Sequence, residues 1–332
     1  MAGVPGQASS GVTRHRSADS QGMISSMTAE TIVITEEKVH PDAVALLKDY
    51  RLCYTGAVFS QEDLVALVER EQPVAILARY GKIDEQVLSA SRKLKVIGRH
   101  GVGMDSIDVD ASKRLGIKAL AATGSNSQAV AELALGLILA CARRISWLDS
   151  RMHEGHWDKQ GYMGFELSGA TLGVVGCGSI GARVVRFARA IGMRVLVNDP
   201  YLQADRLPAG ASKVELEELL ASSDVVSLHC PLDDTTRDLL DARRLGLLRK
   251  GAIVINTARA GIINEEAIRE KLHAGDLHLG LDCFVDEPVN PGSPWVDTPN
   301  AILTPHIGGT TNGGLRGMAV GAAQNILSVL AP

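Results

Sequence analysis

Short apolar runs, many of them β-branched, alternate with helical patterns along the chain from Thr31 onwards. Before residue 122 these runs predict five strands, near residues 32–35, 52–55, 75–79, 96–99 and 117–121. The stretches between them predict helices near residues 41–49, 61–70, 84–92 and 108–115. Regular alternation of strand and helix is typical of an α/β domain, in which a parallel sheet is covered by helices on both faces.

The same alternation resumes beyond residue 170 and predicts a second parallel sheet. Six strands are expected, at residues 172–175, between Ile191 and Asp199, and near residues 225–228, 252–256, 279–282 and 301–304. Helices are expected near residues 181–191, 215–221, 241–248 and 264–274. The last stretch, Thr311–Leu330, is also helical in pattern, and we expect it to return to the first sheet. We therefore predict two doubly wound α/β domains, with residues 122–309 inserted into a flavodoxin-like domain formed by residues 31–121 and 310–332.

The segment Ser127–Arg144 is apolar almost all round at helical spacing. Such a helix belongs either in a core or in a subunit interface, and the pattern favours neither. Trp147 and Trp157 nearby would add a large apolar area to an interface.

Composition and charge exclude several classes of partner. At 332 residues the chain has the length of about two domains. Its 45% hydrophobic and 22% charged residues are typical of a globular protein. The formal charge of −4 gives no basic excess, so neither nucleic acid nor an anionic membrane surface is indicated. No apolar run is long enough to span a bilayer.

The five cysteines form no C-x-x-C pair, and several lie in apolar runs. This is typical of reduced thiols in a cytoplasmic protein. Residues 1–30 are rich in Ser, Gly, Ala and Gln and lack the apolar core of a signal peptide, so we expect a disordered tail.

The chemically most informative stretch lies between the first two strands of the second sheet. It has the pattern G-x-G-x-x-G and is followed, 18 positions after Gly181, by Asp199. The first glycine permits a tight turn, the second lets the backbone approach a pyrophosphate, and the third lets helix pack on strand. Asp199 can accept hydrogen bonds from both ribose hydroxyls and would repel a 2′-phosphate, so the pattern predicts a Rossmann domain that binds NAD. The residues expected at this turn are Gly176, Gly178, Ser179, Ile180 and Gly181.

Ligands of an open α/β sheet bind beyond the carboxyl ends of its strands. Three residues that follow strands of the second sheet are Arg259, Glu287 and His306. Taken singly, each has an ordinary alternative: a surface arginine, a solvated carboxylate or a core histidine. Their joint position at one edge favours a catalytic site.

These residues suit hydride transfer between a nicotinamide and a 2-hydroxy or 2-oxo acid. Arg259 can polarise the substrate carbonyl or hold a carboxylate in bidentate geometry. His306 can move the proton, and Glu287 beside it would favour the imidazolium form. Val102 and Gly103 follow a strand of the first domain and can aim backbone N–H groups at the substrate carboxylate, although a plain tight turn explains them nearly as well.

The chain resembles the D-isomer-specific 2-hydroxyacid dehydrogenases, in the branch of D-3-phosphoglycerate dehydrogenase and hydroxypyruvate reductases. Four motifs carry the resemblance: Gly98–Asp105, the glycine loop with Asp199, Asn256–Gly261, and Glu287-Pro288 followed by Thr304–Gly309. The resemblance implies an NAD-dependent dehydrogenase of a small D-2-hydroxy acid, with Arg259, Glu287 and His306 as the catalytic set and a homodimer formed through region 127–144. Beyond the glycine turn, we expect cofactor contacts from Asp199, Cys230, Pro231, Thr257, Ala258, Arg259, Asp282, His306, Gly308 and Gly309.

The chain departs from phosphoglycerate dehydrogenases at the expected phosphate site. Those enzymes usually carry Arg-Ser in the first domain, whereas here Ala78 takes the position of the arginine and Arg79 that of the serine. Arg79 and its neighbours can still bind an anionic tail, and Asn126 matches an asparagine that borders the pocket. The residues expected to bind the substrate are Arg79, Tyr80, Val102, Gly103 and Asn126.

Two other functions remain as alternatives. One is a glyoxylate or hydroxypyruvate reductase, and the other is an NAD(H)-sensing corepressor of the same family, which keeps the catalytic residues and acts by binding partners. Glu287 argues against a formate dehydrogenase, because that branch lacks the glutamate. We expect no metal, and no serine-sensing regulatory domain after the last helix.

Overall fold

The computed structural model describes residues 29–331 and contains two parallel sheets covered by helices. The first sheet has the order β2-β1-β3-β4-β5, with β1 (Thr31–Ile34), β2 (Arg51–Tyr54), β3 (Ala75–Ala78), β4 (Val96–Arg99) and β5 (Lys118–Ala121). This is the strand order of flavodoxin. The disordered tail predicted over residues 1–30 falls, apart from its last two residues, outside the described residues.

Four helices connect the strands of the first sheet: α1 (Pro41–Leu46), α2 (Gln61–Glu71), α3 (Glu85–Ser89) and α4 (Val109–Arg114). Each begins at a side chain that accepts a hydrogen bond from the first turn, as Ser60 does for α2. Helices α1 and α3 are shorter than the predicted 41–49 and 84–92. The apolar spacing continues into the turns that follow them, so periodicity alone placed their ends too late.

The second sheet has seven parallel strands in the order β12-β11-β10-β9-β6-β7-β8. They are β6 (Thr171–Val175), β7 (Arg194–Asn198), β8 (Ala211–Lys213), β9 (Val225–Leu228), β10 (Ala252–Asn256), β11 (Leu277–Leu281) and β12 (Ala301–Leu303). The prediction of six strands was therefore wrong by one. The missing strand is β8, a short and largely exposed edge strand with no apolar run.

The strand order of the second sheet reverses at β6, which lies between β7 and β9. After β6 the chain adds β7 and β8 on one side of β6, and it then crosses over to add β9 on the other side. A crevice forms at such a switch point beyond the carboxyl ends of the strands, and dinucleotides bind there. The glycine loop follows β6 and therefore lies at this crevice.

The remaining helices are α5 (Ser127–Arg143), α6 (Ile145–His153), α7 (Gly181–Ala190), α8 (Leu216–Ser222), α9 (Ala242–Leu245), α10 (Glu265–His273) and α11 (Asn312–Leu330), with a 3-10 turn at Ala204–Arg206. The predicted helix 241–248 is reduced to α9. Helix α5 is part of a core, because Ala134, Leu137 and Ile138 are buried within the chain and α5 packs against α7, β10 and β11. Arg144, in the left-handed conformation at φ 49°, separates α5 from α6.

Helix α11 returns to the first sheet, where it packs against α1, β4 and β5. The approach to β4 is close, since a Cβ on Gly98 would lie 2.5 Å from the carbonyl oxygen of Ala322. The structure thus has two doubly wound α/β sheets as predicted, while the domain boundaries near residues 121 and 309 stay a prediction. Within residues 29–331, no helix has both the length and the apolar character needed to cross a membrane.

Candidate active site

The three glycines of the loop after β6 meet different surroundings. A Cβ on Gly176, which has φ 85°, would lie 2.7 Å from the backbone nitrogen of Cys230, and one on Gly181 would lie 2.1 Å from the carbonyl oxygen of Gly176. A Cβ on Gly178 would meet no atom within 4 Å. Gly176 and Gly181 are therefore required by packing within the chain, whereas Gly178 faces open space where a ligand can approach the backbone.

Helix α7 begins directly after this loop, with Ser179 exposed and Ile180 half-buried at its first turn. Among the described residues, no side chain caps its first N–H groups. These donors and the positive end of the helix dipole suit a pyrophosphate.

Asp199 lies beside the loop at the end of β7. Its Oδ2 accepts a hydrogen bond from the backbone N–H of Cys177 at 2.8 Å, and its Oδ1 accepts one from that of Tyr201 at 2.9 Å. A carboxylate has about four acceptor positions, so both oxygens keep capacity for ribose hydroxyls. Asp199 therefore both fixes the glycine loop and presents a negative charge at its rim.

The loops after β9 and β10 border the same crevice. Burial raises the pKa of the Cys230 thiol to about 11, so this thiol is protonated and a poor nucleophile at neutral pH. Pro231 beside it is exposed. The hydroxyl of Thr257 is buried and has no hydrogen-bond partner in the part of the chain that the structure describes. A buried hydroxyl without a partner is unusual in a protein and suits a ligand group that completes it.

Asn256, a buried residue that the motif analysis left without a role, shapes the loop that carries Arg259. Its Nδ2 donates to the carbonyl oxygen of Arg259 at 2.8 Å, and its Oδ1 accepts from the N–H of Ala258 at 3.0 Å. The amide thus holds both ends of a tight turn and fixes the direction in which Arg259 leaves β10.

His306 and Glu287 form a hydrogen-bonded pair. Nδ1 of His306 lies 2.8 Å from Oε2 and 3.0 Å from Oε1 of Glu287. The carboxylate is held in turn by the backbone N–H of Phe284, which donates to Oε1 at 2.9 Å. Nε2 of His306 has no partner within residues 29–331, and the ring is half exposed. This arrangement fixes one ring nitrogen and leaves the other for a substrate.

Asp282 supports the loop that carries His306. It is only 2% exposed, and its oxygens accept hydrogen bonds from the Thr304 hydroxyl at 2.6 Å, the Ile307 N–H at 2.9 Å and the Gly308 N–H at 2.8 Å. These bonds lie on both sides of His306, whose φ of 51° is uncommon for a residue with a side chain. Asp282 therefore positions the histidine, and its predicted contact with the cofactor stays a prediction.

Arg259 reaches across to the first domain. Its Nε donates to Oδ2 of Asp105 at 3.1 Å, and its Nη2 lies against Gly103, where a Cβ would be 1.8 Å away. Within residues 29–331, the backbone N–H groups of Val102 and Gly103 have no acceptor. The loop thus places unpaired donors next to a guanidinium, an arrangement suited to a carboxylate.

Arg99 fixes this loop, although sequence reasoning gave it no role. Its Nε donates to the carbonyl oxygen of Gly103 at 2.9 Å, and its Nη1 donates to those of Ala78 at 2.9 Å and Arg79 at 2.6 Å. One side chain therefore ties the loop after β4 to the loop after β3.

Arg79 and Tyr80 lie at the end of β3 but are less free than predicted. Nη1 of Arg79 bonds Oε2 of the buried Glu36 at 2.6 Å, and Thr35 Oγ1 accepts from the N–H groups of Arg79 at 2.8 Å and Tyr80 at 3.1 Å. Thr35 and Glu36 directly follow β1. Ligands bind beyond the carboxyl ends of the strands in the first sheet as well as in the second, so the position of these two residues after β1 was the signal in the sequence that could have identified them.

Asn126 borders the crevice from the start of α5. A Cβ on Gly309 would lie 3.0 Å from its Nδ2, so the two residues are in contact. Its Oδ1 is buried and has no partner among the described residues. The loop of His306 is therefore packed against the residue that was predicted to border the substrate.

The residues at the crevice fit NAD. The backbone over Gly178 is open, the first turn of α7 is uncapped, and Asp199 supplies the carboxylate expected for an unphosphorylated ribose. Within residues 29–331, no group of three or more His, Cys, Asp or Glu side chains is arranged to hold a metal ion.

Known proteins are similar to this chain in sequence and in fold. Residues 135–308 match the model of the family described as D-isomer specific 2-hydroxyacid dehydrogenase, NAD binding domain. The D-3-phosphoglycerate dehydrogenase of Methanocaldococcus jannaschii is 35% identical over 301 residues, which are 90% of this chain and 57% of that protein. The chain thus spans little more than half the length of that relative.

Two other proteins match over nearly their whole length. A hydroxypyruvate reductase of Thermotoga maritima is 35% identical over 288 residues, which cover 86% of this chain and 93% of the reductase. The crystal structure of a glyoxylate reductase from Paecilomyes thermophila matches with a TM-score of 0.81 and 30% identity, covering 92% of this chain and 96% of that one. From these matches and the site geometry, the chain belongs to the D-isomer specific 2-hydroxyacid dehydrogenase family, and residues 135–308 are its NAD binding domain.

Proposed function

We propose that this chain is an NAD-dependent oxidoreductase that interconverts a small D-2-hydroxy acid and the corresponding 2-oxo acid. The pair of His306 and Glu287 carries the proposal, because it holds an imidazole at 2.8 Å from a carboxylate on the edge where the NAD loop lies. NAD supplies the hydride acceptor or donor when it is bound. The chain supplies the proton and the groups that orient the substrate.

His306 acts as the acid or base at the substrate oxygen. Its Nδ1 bond to Glu287 fixes the ring, and Nε2 is left to donate a proton in the reductive direction or accept one in the oxidative direction. The negative charge of Glu287 stabilises the imidazolium that forms on oxidation.

Arg259 and the loop of Val102 and Gly103 bind the other end of the reacting group. The guanidinium can hold the carboxylate in bidentate fashion or polarise the carbonyl, and the two free backbone N–H groups add neutral donors. Arg79, Tyr80 and Asn126 surround the rest of the substrate.

The test is an absorbance assay at the NADH band with hydroxypyruvate, glyoxylate, pyruvate, oxaloacetate and phosphohydroxypyruvate, each with NADH and with NADPH. Turnover of at least one acid, with NADH preferred, supports the proposal. Binding of NADH with no turnover of any acid would contradict it and favour the corepressor-like alternative.

We further propose the homodimer expected through region 127–144, extended by α6 and the loop that follows α6. Large apolar side chains are exposed on α6, such as Ile145 and Trp147, and in the loop after it, such as Trp157 at 75% and Met163 at 88%. A patch of this kind is unusual on the surface of a monomer and marks an interaction site. Light scattering during gel filtration tests this; a mass of one chain at micromolar concentration would contradict it.

We also propose a cytoplasmic location, which the state of the cysteines supports. All five cysteines are free, and burial raises the pKa of the Cys141 thiol to about 12. Reduced, unreactive thiols are typical of proteins that work in a reducing compartment.

A further inference from the structure

We propose that Glu36 determines substrate specificity by pairing with Arg79 in the wall of the substrate site. The pair favours 2-oxo acids whose third carbon carries an uncharged group over those whose third carbon carries a phosphate. This inference depends on the proposed function and narrows it to a substrate class. Three features support it: how the pair is built, where it lies, and what an entering phosphate would meet.

The pair is built into the fold. Glu36 is 4% exposed, and its Oε2 lies 2.6 Å from Nη1 of Arg79. The hydroxyl of the fully buried Thr35 accepts hydrogen bonds from the backbone N–H groups of Arg79 and Tyr80. These bonds fix the backbone from which the guanidinium of Arg79 extends. Arg79 also lies over the ring of Tyr80 at 4.9 Å from its centre. The side chain is therefore held in place rather than free to follow an anion.

The pair lies one side chain away from the reacting groups. Arg99 donates both to the carbonyl oxygen of Arg79 and to that of Gly103, and Gly103 is in contact with Arg259. The segment of Arg79 thus forms the wall next to the position proposed for the substrate carboxylate. In this proposal, a substituent on the third carbon of a bound acid lies against this wall.

The cations at this wall are already engaged. Glu36 neutralises Arg79, and Arg99 keeps its charge but donates its Nε and Nη1 to three carbonyl oxygens. Burial lowers the pKa of His100 to about 4, which leaves it uncharged at neutral pH. Ala78, which precedes Arg79, contributes no charge. A phosphate would therefore find Arg79 already paired and Arg99 committed to backbone oxygens, and it would approach the carboxylate of Glu36.

Recruiting Arg79 to a phosphate would leave Glu36 without a partner. Its Oε1 is buried and lacks a hydrogen-bond partner within the described residues, so the carboxylate depends on Arg79 for stabilisation. Burial already raises the pKa of Glu36, and Arg79 opposes that rise. A buried carboxylate that loses its partner destabilises the protein, and Glu36 would also repel the phosphate. For both reasons this wall disfavours a phosphorylated acid.

The experiment compares wild type, Glu36→Gln and, as a matched control, Glu37→Gln, the exposed neighbour. For each, kcat/KM is measured with NADH for hydroxypyruvate and for phosphohydroxypyruvate, after thermal unfolding has shown that the variants are folded. We expect wild type to prefer hydroxypyruvate. In Glu36→Gln the ratio should shift towards phosphohydroxypyruvate by about 10-fold, mainly through its KM, because Arg79 gains a free charge. Glu37→Gln should leave the ratio unchanged.

A wild-type preference for phosphohydroxypyruvate would overturn the inference, and so would an unchanged ratio in Glu36→Gln with turnover retained. If wild type or a folded Glu36→Gln turns over neither acid, calorimetric titration with 3-phosphoglycerate, which carries its phosphate on the third carbon, decides. Tighter binding to Glu36→Gln than to wild type, by about 10-fold, would support the inference, and equal binding would overturn it. The failure of turnover in wild type would count against the proposed function alone.

Discussion

Arg259 lies directly against Gly103, across the cleft between the two sheets. A Cβ on Gly103 would lie 1.8 Å from Nη2 of Arg259 and 2.7 Å from Oδ2 of Asp105. The position therefore has room for the guanidinium only because residue 103 has no side chain. This contact links the loop of the first domain to the arginine of the second.

Replacing Gly103 with Ala should impair the site more than the fold. The added methyl group meets the ends of two flexible, partly exposed side chains, so Arg259 can move aside at little cost in stability. We expect kcat/KM to fall by about 10- to 100-fold, since a displacement of about 1 Å is enough for such a loss. Gly292→Ala, where a Cβ meets nothing within 4 Å, is the control. Unchanged kcat/KM in Gly103→Ala would separate this contact from catalysis.

Replacing His306 with Ala should remove the acid–base group. We expect kcat to fall by about 10²- to 10⁴-fold with little change in NADH affinity, because His306 acts on the substrate proton rather than on the phosphates. Stopped-flow or steady-state kinetics with fluorescence titration of NADH measures both quantities. His273→Ala, an exposed histidine at the end of α10, should behave as wild type. Retained turnover in His306→Ala would assign the proton transfer to another group.

Removing the charge of Asp199 should weaken the preference for NAD. Asn can keep the acceptor for the Cys177 N–H, so Asp199→Asn tests the charge with the loop held, whereas Asp199→Ala removes both. We expect the ratio of kcat/KM for NADH over NADPH to fall by about 10-fold or more in both variants, because repulsion of the 2′-phosphate is lost. If Asp199→Asn keeps the wild-type ratio, the ribose is recognised by another residue.

Asp282→Ala should destabilise the protein as well as reduce activity. The substitution leaves the Thr304 hydroxyl and the N–H groups of Ile307 and Gly308 without their acceptor. We expect the free energy of unfolding to fall by about 2–3 kcal/mol, as for buried donors that lose a charged partner. Urea unfolding measures this, with the exposed Asp286→Asn as control. A change below about 0.5 kcal/mol would mean that the loop does not depend on this carboxylate.

The buried His100 and the half-buried His229 should make the protein acid-sensitive. Burial lowers the pKa of His100 and that of His229 to about 4. In the unfolded chain histidines titrate near pH ~6.5, so below that pH the unfolded state binds protons that the native state does not. Stability is therefore fully present above pH ~6.5 and is lost as the pH falls towards 4, by roughly 2 kcal/mol for each histidine between pH 7 and 5.

Urea unfolding at pH 7 and pH 5 tests this, with His229→Gln as the variant. Glutamine can replace the bond between Nε2 and the Ser227 hydroxyl, which is 2.8 Å long, but it cannot be protonated. The loss between the two pH values should shrink by about 2 kcal/mol in this variant and stay unchanged in the exposed control His273→Gln. An equal loss in His229→Gln and wild type would show that this histidine is protonated in both states.

The sequence predicted most of the strands because each is a local property of the chain. Buried parallel strands are continuous apolar runs, and eleven of the twelve strands found between residues 29 and 331 correspond to one. The exception, β8, depends on pairing with β7 rather than on its own three residues. The ends of helices were predicted less accurately: α9 ends at Leu245, whereas the pattern predicted a helix to residue 248. The spacing of apolar residues continues past the point where the backbone leaves the helix.

The glycine loop was also within reach of the sequence. A tight turn, a close backbone approach and a helix start each require glycine at a fixed spacing. The motif can therefore be recognised from six consecutive residues. The structure adds the atoms that enforce it, the backbone of Cys230 for Gly176 and the carbonyl oxygen of Gly176 for Gly181.

Two doubly wound sheets, an NAD loop and a set of polar residues at the strand ends could thus be predicted from local patterns in the chain. How those residues are used depends on contacts between distant segments. Arg79 pairs with Glu36, 43 positions away, Asp282 holds the backbone 25 positions later, and Arg259 meets Asp105 at a separation of 154. Periodicity and motif spacing report on neighbours along the chain. Hydrogen bonds and charge pairs depend on distances of about 3 Å, which are set only when the sheets and their loops have packed together.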